Sequence, residues 1–545
     1  MRLGILTLLA VTLTASCAAQ PTKQKPPFVW EGANLYFLLV DRFHNGDPSN
    51  DLNFGRTREA APMRGFKGGD IRGIIKKIDE GYFDALGINA IWLTPIVEQI
   101  HDGVDEGTGL SYGFHGYWTK DWTRLDPNFG TEKDLAEMVE KAHAKGIRIV
   151  LDGVINHTGP VTEKDEVWPS DWVRTEPQCD YKTYSGNITC TLVRNLPDVK
   201  TESDREVQVP PHLVRKWKQE GRYEKEMREL DAFFERTKYP RAPRYYIIKW
   251  LTDYITDYGI DGYRADTVKH TEEGVWADFK AQCDYAFKQW KKANPARVLD
   301  DNPFYLIAEV YNYGIGGGQE FDFGDKKVNY FKNGFNSLIN FEFKWNAKDP
   351  YEAIFSRYST LLNSELEGYG VLNYISSHDD GQPFDGNREK TYESATKLLL
   401  APGTAQVYYG DETGRKLSVE GAQGDANLRS PMDWQTVDSP ETKKLLEHWQ
   451  KLGQFRKNHP AVGAGIHHQL SARPYVFSRA MKRGKFLDRV VVGLDLPAGR
   501  KEINVSKIFK DGKQLYDAYS GQTVTVSGGK AIVESPFGIV LLEEK

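Results

Sequence analysis

Three acids in this chain stand where short apolar runs end. Asp266 closes Gly262-Tyr-Arg-Ala-Asp266, Glu309 closes Leu306-Ile-Ala-Glu309, and Asp379 closes Ile375-Ser-Ser-His-Asp379. A fourth segment, Asp152-Gly-Val-Ile-Asn-His157, follows such a run. Each run reads as a β-strand with its polar residues at the C-terminal end. One carboxylate that attacks and one carboxylic acid that donates a proton are the equipment that breaks glycosidic bonds. Arg264 and Asp266 are two apart, so on a strand both side chains point the same way. A fixed cation beside Asp266 keeps it ionised, as a nucleophile must be. Glu309 ends an apolar strand near two other acids. Desolvation and like charge then raise its pKa and let it hold a proton at neutral pH. Asp379 is placed to stabilise positive charge on the sugar ring as the bond breaks. His115, His157 and His378 are donors suited to gripping sugar hydroxyls. A single acid at a strand end is ordinarily structural, but four such segments in this order rarely arise by chance.

Eight runs can serve as the strands that position these residues: 35–40, 88–93, 147–151, 262–264, 304–308, 338–343, 371–376 and 406–409. Helical patterns lie between most of them, at 71–86, 131–145, 243–258, 351–362 and 390–400. Alternation without a Gly-rich phosphate loop predicts α/β architecture in the form of a (β/α)8 TIM barrel rather than a doubly wound sheet. Such barrels carry their active sites at the C-terminal ends of the strands. The stretch between the third and fourth strands is too long for a plain loop, so residues 158–242 are expected to form an inserted subdomain with a helical excursion. Within it the charged run 216–236 reads as a solvated helix face. The barrel is then split into 31–157 and 243–460. From 461 to 545 short alternating strands with Gly and Asp turns predict a C-terminal antiparallel β-sandwich domain.

The chain has 545 residues, 40% of them hydrophobic, enough for more than one core. Its net charge of −5 is spread out, and no basic stripe offers itself to nucleic acid. Met1-Arg2 and the apolar run 3–14 read as a signal peptide, too short to remain as a spanning helix. Thr14-Ala-Ser-Cys17 ends that leader like a bacterial lipobox, with Cys17 as the lipidated residue and 18–30 as a polar tether. The competing reading is ordinary cleavage after Ala19. Both predict export to the periplasm or outer membrane, with membrane contact only through a lipid anchor. Export permits disulfides. With Cys17 acylated, Cys179 and Cys190 form the natural bridge and Cys283 is left as a buried thiol.

From Val29 onward the chain resembles the α-amylase superfamily, glycoside hydrolase family 13, and within it the bacterial periplasmic α-amylases. The strand-end segments above carry that resemblance, together with Asp41-Arg-Phe-His-Asn-Gly-Asp-Pro-Ser-Asn-Asp51, Leu196-Pro-Asp-Val-Lys-Thr-Glu-Ser203 and Tyr408-Tyr-Gly-Asp-Glu412. It implies Asp266 as nucleophile, Glu309 as general acid/base and Asp379 as transition-state stabiliser. It places Arg264, His157 and His378 around the cleaved sugar and stacks Tyr117 of Phe114-His-Gly-Tyr117 on that ring. Lys269 and His270 fall on the leaving-group side, and Asp425 with Arg429 on a more distant sugar. The resemblance also implies Ca2+. One site uses Asn156, Asp198 and the backbone oxygen of His270. A second uses Asn45, Asp47, Asn50, Asp51, Gly68 and Asp70, a loop that otherwise reads as a plain turn. Oxygen-only ligands suit a hard cation. Thr267, next to the nucleophile, goes with α-1,4 bonds in related enzymes. The implied partner is an α-glucan or maltooligosaccharide. A cyclodextrin-forming transglycosylase and a starch-binding lipoprotein without catalysis are the alternative functions.

Overall fold

A computed structural model describes residues 26–545; the leader and Cys17 lie outside the described residues. All eight expected strands form. They are β1 (Asn34–Leu38), β2 (Ala90–Leu93), β3 (Arg148–Gly153), β4 (Gly262–Ala265), β5 (Tyr305–Ala308), β6 (Ser337–Asn340), β7 (Gly370–Asn373) and β8 (Thr404–Tyr408). They pair in parallel around a closed barrel, β1 against both β2 and β8. Every strand residue is buried, because the barrel interior faces one side and the helices cover the other. The register sets the site. Arg264 on β4 lies level with Asp152 on β3 and Ile307 on β5. One step further, the Asp266 amide donates to the Gly153 carbonyl and the Glu309 amide to the Ala265 carbonyl, both at 3.0 Å. The acids therefore sit just past the last ladder bonds, at the end where the strands stop.

The helices begin and end where local chemistry directs. Glu132–Ala144 starts at Thr131, whose side chain and that of Asp134 cap one another's backbone. Pro243–Tyr258 opens on proline and closes at Gly259, φ 76°. The helix expected over 71–86 is two pieces, Ile71–Asp79 and Tyr82–Ala85. Gly81, φ 78°, breaks it.

The segment 158–242 holds little regular structure before its two helices, Pro211–Gln219 and Tyr223–Thr237. The disulfide Cys179–Cys190 staples a loop within it, and Cys283 is a buried free thiol, both as expected. The charged run is not simply a solvated face. Trp217, Leu230, Phe233 and Phe234 are buried beneath it, and Lys216 and Arg222 turn inward to the buried carboxylate of Asp121, at 2.7 and 3.4 Å. The charges were visible in the sequence; the apolar stripe at helical spacing beneath them decides the packing.

The C-terminal region carries β9 (Ile466–Ala472), β10 (Tyr475–Arg483), β11 (Phe486–Leu494), β12 (Gly499–Asn504), β13 (Gln514–Asp517), β14 (Gln522–Thr525), β15 (Lys530–Ser535) and β16 (Val540–Glu544). Six make one antiparallel sheet in the order β9-β10-β11-β16-β13-β14, and β12 pairs with β15. Val491, Val505, Leu515, Val533 and Val540 form their own core. Among the described residues no helix is long and apolar enough to cross a membrane.

Candidate active site

Arg264 is the hub. Its guanidinium reaches Asp266 at 2.6 Å, Asp152 at 3.0 Å and Glu309 at 2.8 Å. It is 1% exposed, so water screens none of these contacts. Asp152 gains two further donors, the Tyr117 hydroxyl at 2.8 Å and the Trp92 indole at 3.2 Å. Burial drives the Asp152 pKa up to about 7; Asp266 adds to the rise, and Arg264 and Tyr117 oppose it.

Glu309 receives the backbone N–H of Thr267 at 2.8 Å as well as Arg264. Both favour its ionised form. Burial and the charges of Asp266 and Asp379 act the other way and prevail, so its pKa stands well above the usual carboxyl range. Asp379 shows the reverse balance. Burial raises it, but His378, Arg264, Arg429 and the Ser377 hydroxyl outweigh that and hold it below the usual range. One site thus pushes two carboxyls apart in pKa, as acid and base assignments require.

Tyr117 lies against His378, ring centroids 5.3 Å apart and planes 24° apart. Its backbone anchors two other histidines. The Tyr117 amide donates to His115 Nδ1 at 3.0 Å, and His157 Nε2 donates to the Tyr117 carbonyl at 3.1 Å. Burial lowers the pKa of His115, His157 and His378, the last to about 4, so all three enter neutral pH uncharged. Arg429 donates to the His378 carbonyl at 2.9 Å and pairs with Asp425 at 2.7 Å; Asp425 also pairs with Arg64 at 3.0 Å. The expected Asp425–Arg429 pair therefore forms, joined to the loop that carries Asp379.

Lys269 donates to the Tyr311 carbonyl at 3.4 Å, close to Glu309. His270 lies close enough to Lys269 and Asp266 to feel their charges. Its ring is buried, with Nδ1 2.9 Å from the Asn187 carbonyl, and it ties the disulfide loop to the barrel.

Sequence reasoning passed over three groups. Asp152 was visible as the opening residue of its motif, level with Arg264. Tyr311, 44% exposed two residues beyond Glu309, presents an open ring beside the acid. Asp380, next to Asp379, is held by Lys344 and by the Tyr374 hydroxyl. Lys344 is distant in sequence, and no spacing announces it.

The donor sets expected for calcium differ in character. Asp198 is buried, neither carboxylate oxygen receives a hydrogen bond, and burial pushes its pKa up to about 9. Arg174 stands beside it at 3.0 Å, and Glu202 and Glu272 are near enough to act on its charge. Asn156 and the chain at His270 adjoin this pocket, so the residues fit a cation. In the second loop Asn45 and Asn50 bury amide oxygens without partners. Gly68, φ 82°, leaves a cradle there; a Cβ would meet Asn45 and Asp51 at 2.5 and 2.6 Å. Asn45, Asn50, Asp51 and Gly68 therefore fit a cation. Asp47 and Asp70 are already engaged as helix caps, Asp70 accepting from the amides of Gly73, Gly46 and Asp47. Among the described residues no three His, Cys, Asp or Glu side chains converge as a metal cluster, so each site would join a carboxylate, Asp198 or Asp51, to amide and backbone oxygens.

Known proteins carry the same layout. The family model described as "Alpha amylase, catalytic domain" matches residues 37–465. The periplasmic α-amylase of Escherichia coli K12 is 35% identical over 82% of this chain and 69% of its own length. The cyclomaltodextrin glucanotransferase of Geobacillus stearothermophilus is 26% identical over 85% of this chain, which spans only 62% of that protein. The solved α-amylase of Geobacillus thermoleovorans complexed with acarbose shares the fold, with TM-score 0.65 and 21% identity over 95% of this chain and 100% of that one. This chain belongs to the α-amylase family and is a glycoside hydrolase.

Proposed function

We propose that the protein hydrolyses α-1,4-glucosidic bonds in starch-derived glucans and maltodextrins, with net retention at the anomeric carbon. The observation that carries the reading is the single buried guanidinium of Arg264 shared by Asp266 and Glu309. That closeness favours direct attack over insertion of a water between carboxyl and sugar. Asp266 attacks the anomeric carbon while Glu309 protonates the departing oxygen. Glu309 then takes a proton from water, which releases the sugar from Asp266. Asp379, held ionised, faces the positive charge that develops on the ring. Tyr117 offers its ring to the sugar, the neutral His115 and His378 can donate to hydroxyls, and His157, whose N–H goes to the Tyr117 carbonyl, keeps an acceptor nitrogen. Lys269 and the Asp425–Arg429 pair extend the cleft beyond the cleaved bond. Thr267 beside the nucleophile leans towards α-1,4 specificity.

Bound calcium would be held by Asn156, Asp198 and the His270 carbonyl, and by Asn45, Asn50, Asp51 and Gly68. It would supply positive charge that clamps the inserted segment to the barrel. Export is supported by the leader and by likeness to a protein named periplasmic. Acylation at Cys17 would anchor it. A second reading, transglycosylation to cyclic products, is favoured by the glucanotransferase relatives.

The test is product analysis on amylose and maltoheptaose. Nuclear magnetic resonance of the first products should show the α-anomer, linear products should dominate, and Asp266→Asn should abolish turnover in a folded protein. An initial β-anomer or an active Asp266→Asn enzyme overturns the mechanism; cyclic products would favour the second reading.

A further inference from the structure

The three acids of the site are not held alike. Arg264 grips Asp266 and Glu309. Among the described residues Asp379 pairs with no Lys or Arg, and the Ser377 hydroxyl beside it, at 3.0 Å, is its one hydrogen-bond donor. It also lies in a stretch, 374–390, that forms neither helix nor strand, so no ladder fixes it. Its place therefore depends on what pins the chain on either side. Before it, Ser376 donates to Asp411 at 2.6 Å and Arg429 donates to the His378 carbonyl at 2.9 Å. After it stands Asp380. One Asp380 carboxylate oxygen accepts from Lys344 and from the Tyr374 hydroxyl, the latter at 2.5 Å; the other accepts from the Gln382 amide at 3.1 Å.

We propose that Lys344 is a positioning residue: through its buried pair with Asp380 it sets where Asp379 meets the sugar. The role of Asp379 itself rests on the mechanism proposed above. Lys344 and Asp380 are 7% and 5% exposed, so water does little to screen the pair. Among the described residues Lys344 pairs with no other acid, and its ammonium is committed to this carboxylate. Its base is firm. Lys344 lies in the short helix Phe343–Asn346 just beyond β6, and β6 pairs with β7, the strand that leads to Asp379. The ion pair thus ties the loop after β7 to the element after β6. It stands at the cleft rather than behind it. Asp380, Asp379 and Glu309 are all near enough to act on the Tyr311 phenol. Phe341 packs on both Tyr311 and Tyr374, with centroids 5.1 and 5.7 Å away. The charges that chiefly hold Asp379 ionised belong to His378, Arg264 and Arg429. Lys344 therefore acts on the place of Asp379 rather than on its proton. Place matters here, because a misplacement of about 1 Å at a reacting centre can cost about 10²-fold in rate.

The test measures kcat and KM of full-length variants, with thermal melting as the check on folding. Lys344→Met should lower kcat by about 10–100-fold and leave KM within about two-fold, the pattern of an interaction felt only in the transition state. The loss should be the same on maltoheptaose and on a nitrophenyl maltooligosaccharide, since Asp379 serves whichever group departs. Lys344→Met/Asp380→Asn removes the stranded charge together with its partner, so melting should recover while kcat stays low. Tyr374→Phe keeps the ring packing and removes one bond to Asp380, and it decides the matter if Lys344→Met does not fold. Its kcat should fall by about five-fold, the worth of one hydrogen bond. A folded Lys344→Met enzyme with wild-type kcat overturns the proposal, as does unchanged kcat in Tyr374→Phe. Recovery of kcat along with melting in the double variant overturns it too, since the pair would then serve stability alone. A loss confined to KM would mean that the ammonium touches the sugar, and this also overturns it. An Asp379→Asn enzyme of full activity would instead overturn the mechanism proposed above, so the two failures are told apart.

Discussion

In the mechanism proposed above the chemistry turns on Glu309, which would hold a proton in one step and surrender it in the next. Its raised pKa comes from burial and from Asp266 and Asp379, against the pull of Arg264. The proton therefore persists above the ordinary carboxyl range, and kcat should fall as pH rises through that raised value. Asp379 is shifted the other way, so its charge is lost only as pH falls below the usual range. Glu309→Gln should remove the alkaline limb and slow maltoheptaose by about 10²–10⁴-fold, the usual worth of a positioned acid. A nitrophenyl glycoside, whose leaving group departs without a proton, should lose less in its first step. Paired pH profiles on the two substrates check this, and equal losses on both would contradict the assignment. The Arg264–Asp266 contact was legible, because a two-residue spacing on a strand fixes both directions. The bond of the His270 ring to the Asn187 carbonyl was not, because it joins a 3-10 turn, Val268–His270, to a distant loop that no periodicity announces.

At the scale of elements, strands were easier to read than the insertion. Parallel barrel strands are buried on both faces and appear as apolar runs, so all eight were found, with ends shifted by a few residues. The helices at 243–258 and 351–362 were legible from their bounding prolines and periodicity. In the C-terminal region Ile466–Ala472, Gln514–Asp517 and Lys530–Ser535 went unread. The first is largely exposed, and the others are short or strictly alternating with many charges. The segment 158–242 is illegible for a different reason. Its order comes from a disulfide, buried ion pairs and contacts across the chain rather than from local pattern. Asp198 pairs with His157 across a β-bridge, and its buried carboxylate meets Arg174 with Glu202 and Glu272 nearby. If a cation completes this junction, chelation should lower the melting temperature. A ligand bound only to the native state adds about 2.7 kcal/mol at one hundred times its Kd. Asp198→Ala should melt early and lose part of its response to chelator, the second site remaining. Calorimetry with and without chelator, alongside elemental analysis of the purified protein, decides it. A metal-free wild type that melts at the same temperature would refute the clamp.

At the scale of the whole molecule, the two ends of the barrel have different duties. The catalytic groups gather where the strands end. The opposite end receives the incoming chain: Phe28 packs under Arg148, and Trp30 stacks on Tyr305 at a centroid distance of 4.0 Å. The C-terminal domain is fixed to the barrel by buried polar groups that leave it little freedom. Arg479 reaches the carbonyls of Leu400 and Val462. His459 bridges Asp488 and Glu543. Pro26, Pro27 and Phe28 thus lie at the end opposite the cleft, beside Asn89, Lys145 and Arg148. A lipid on Cys17 would hold that face toward the bilayer and turn the cleft toward solvent. Cys17→Ser should then move the protein from the membrane fraction to the soluble one with kcat/KM on amylose unchanged, because the cleft faces away from the anchor in either state. Fractionation followed by mass spectrometry of the mature N-terminus checks both halves. An unmodified Gln20 as the first residue would refute the anchor. A several-fold gain in amylose hydrolysis on release would refute the orientation, since it would mean that the bilayer had been blocking the cleft.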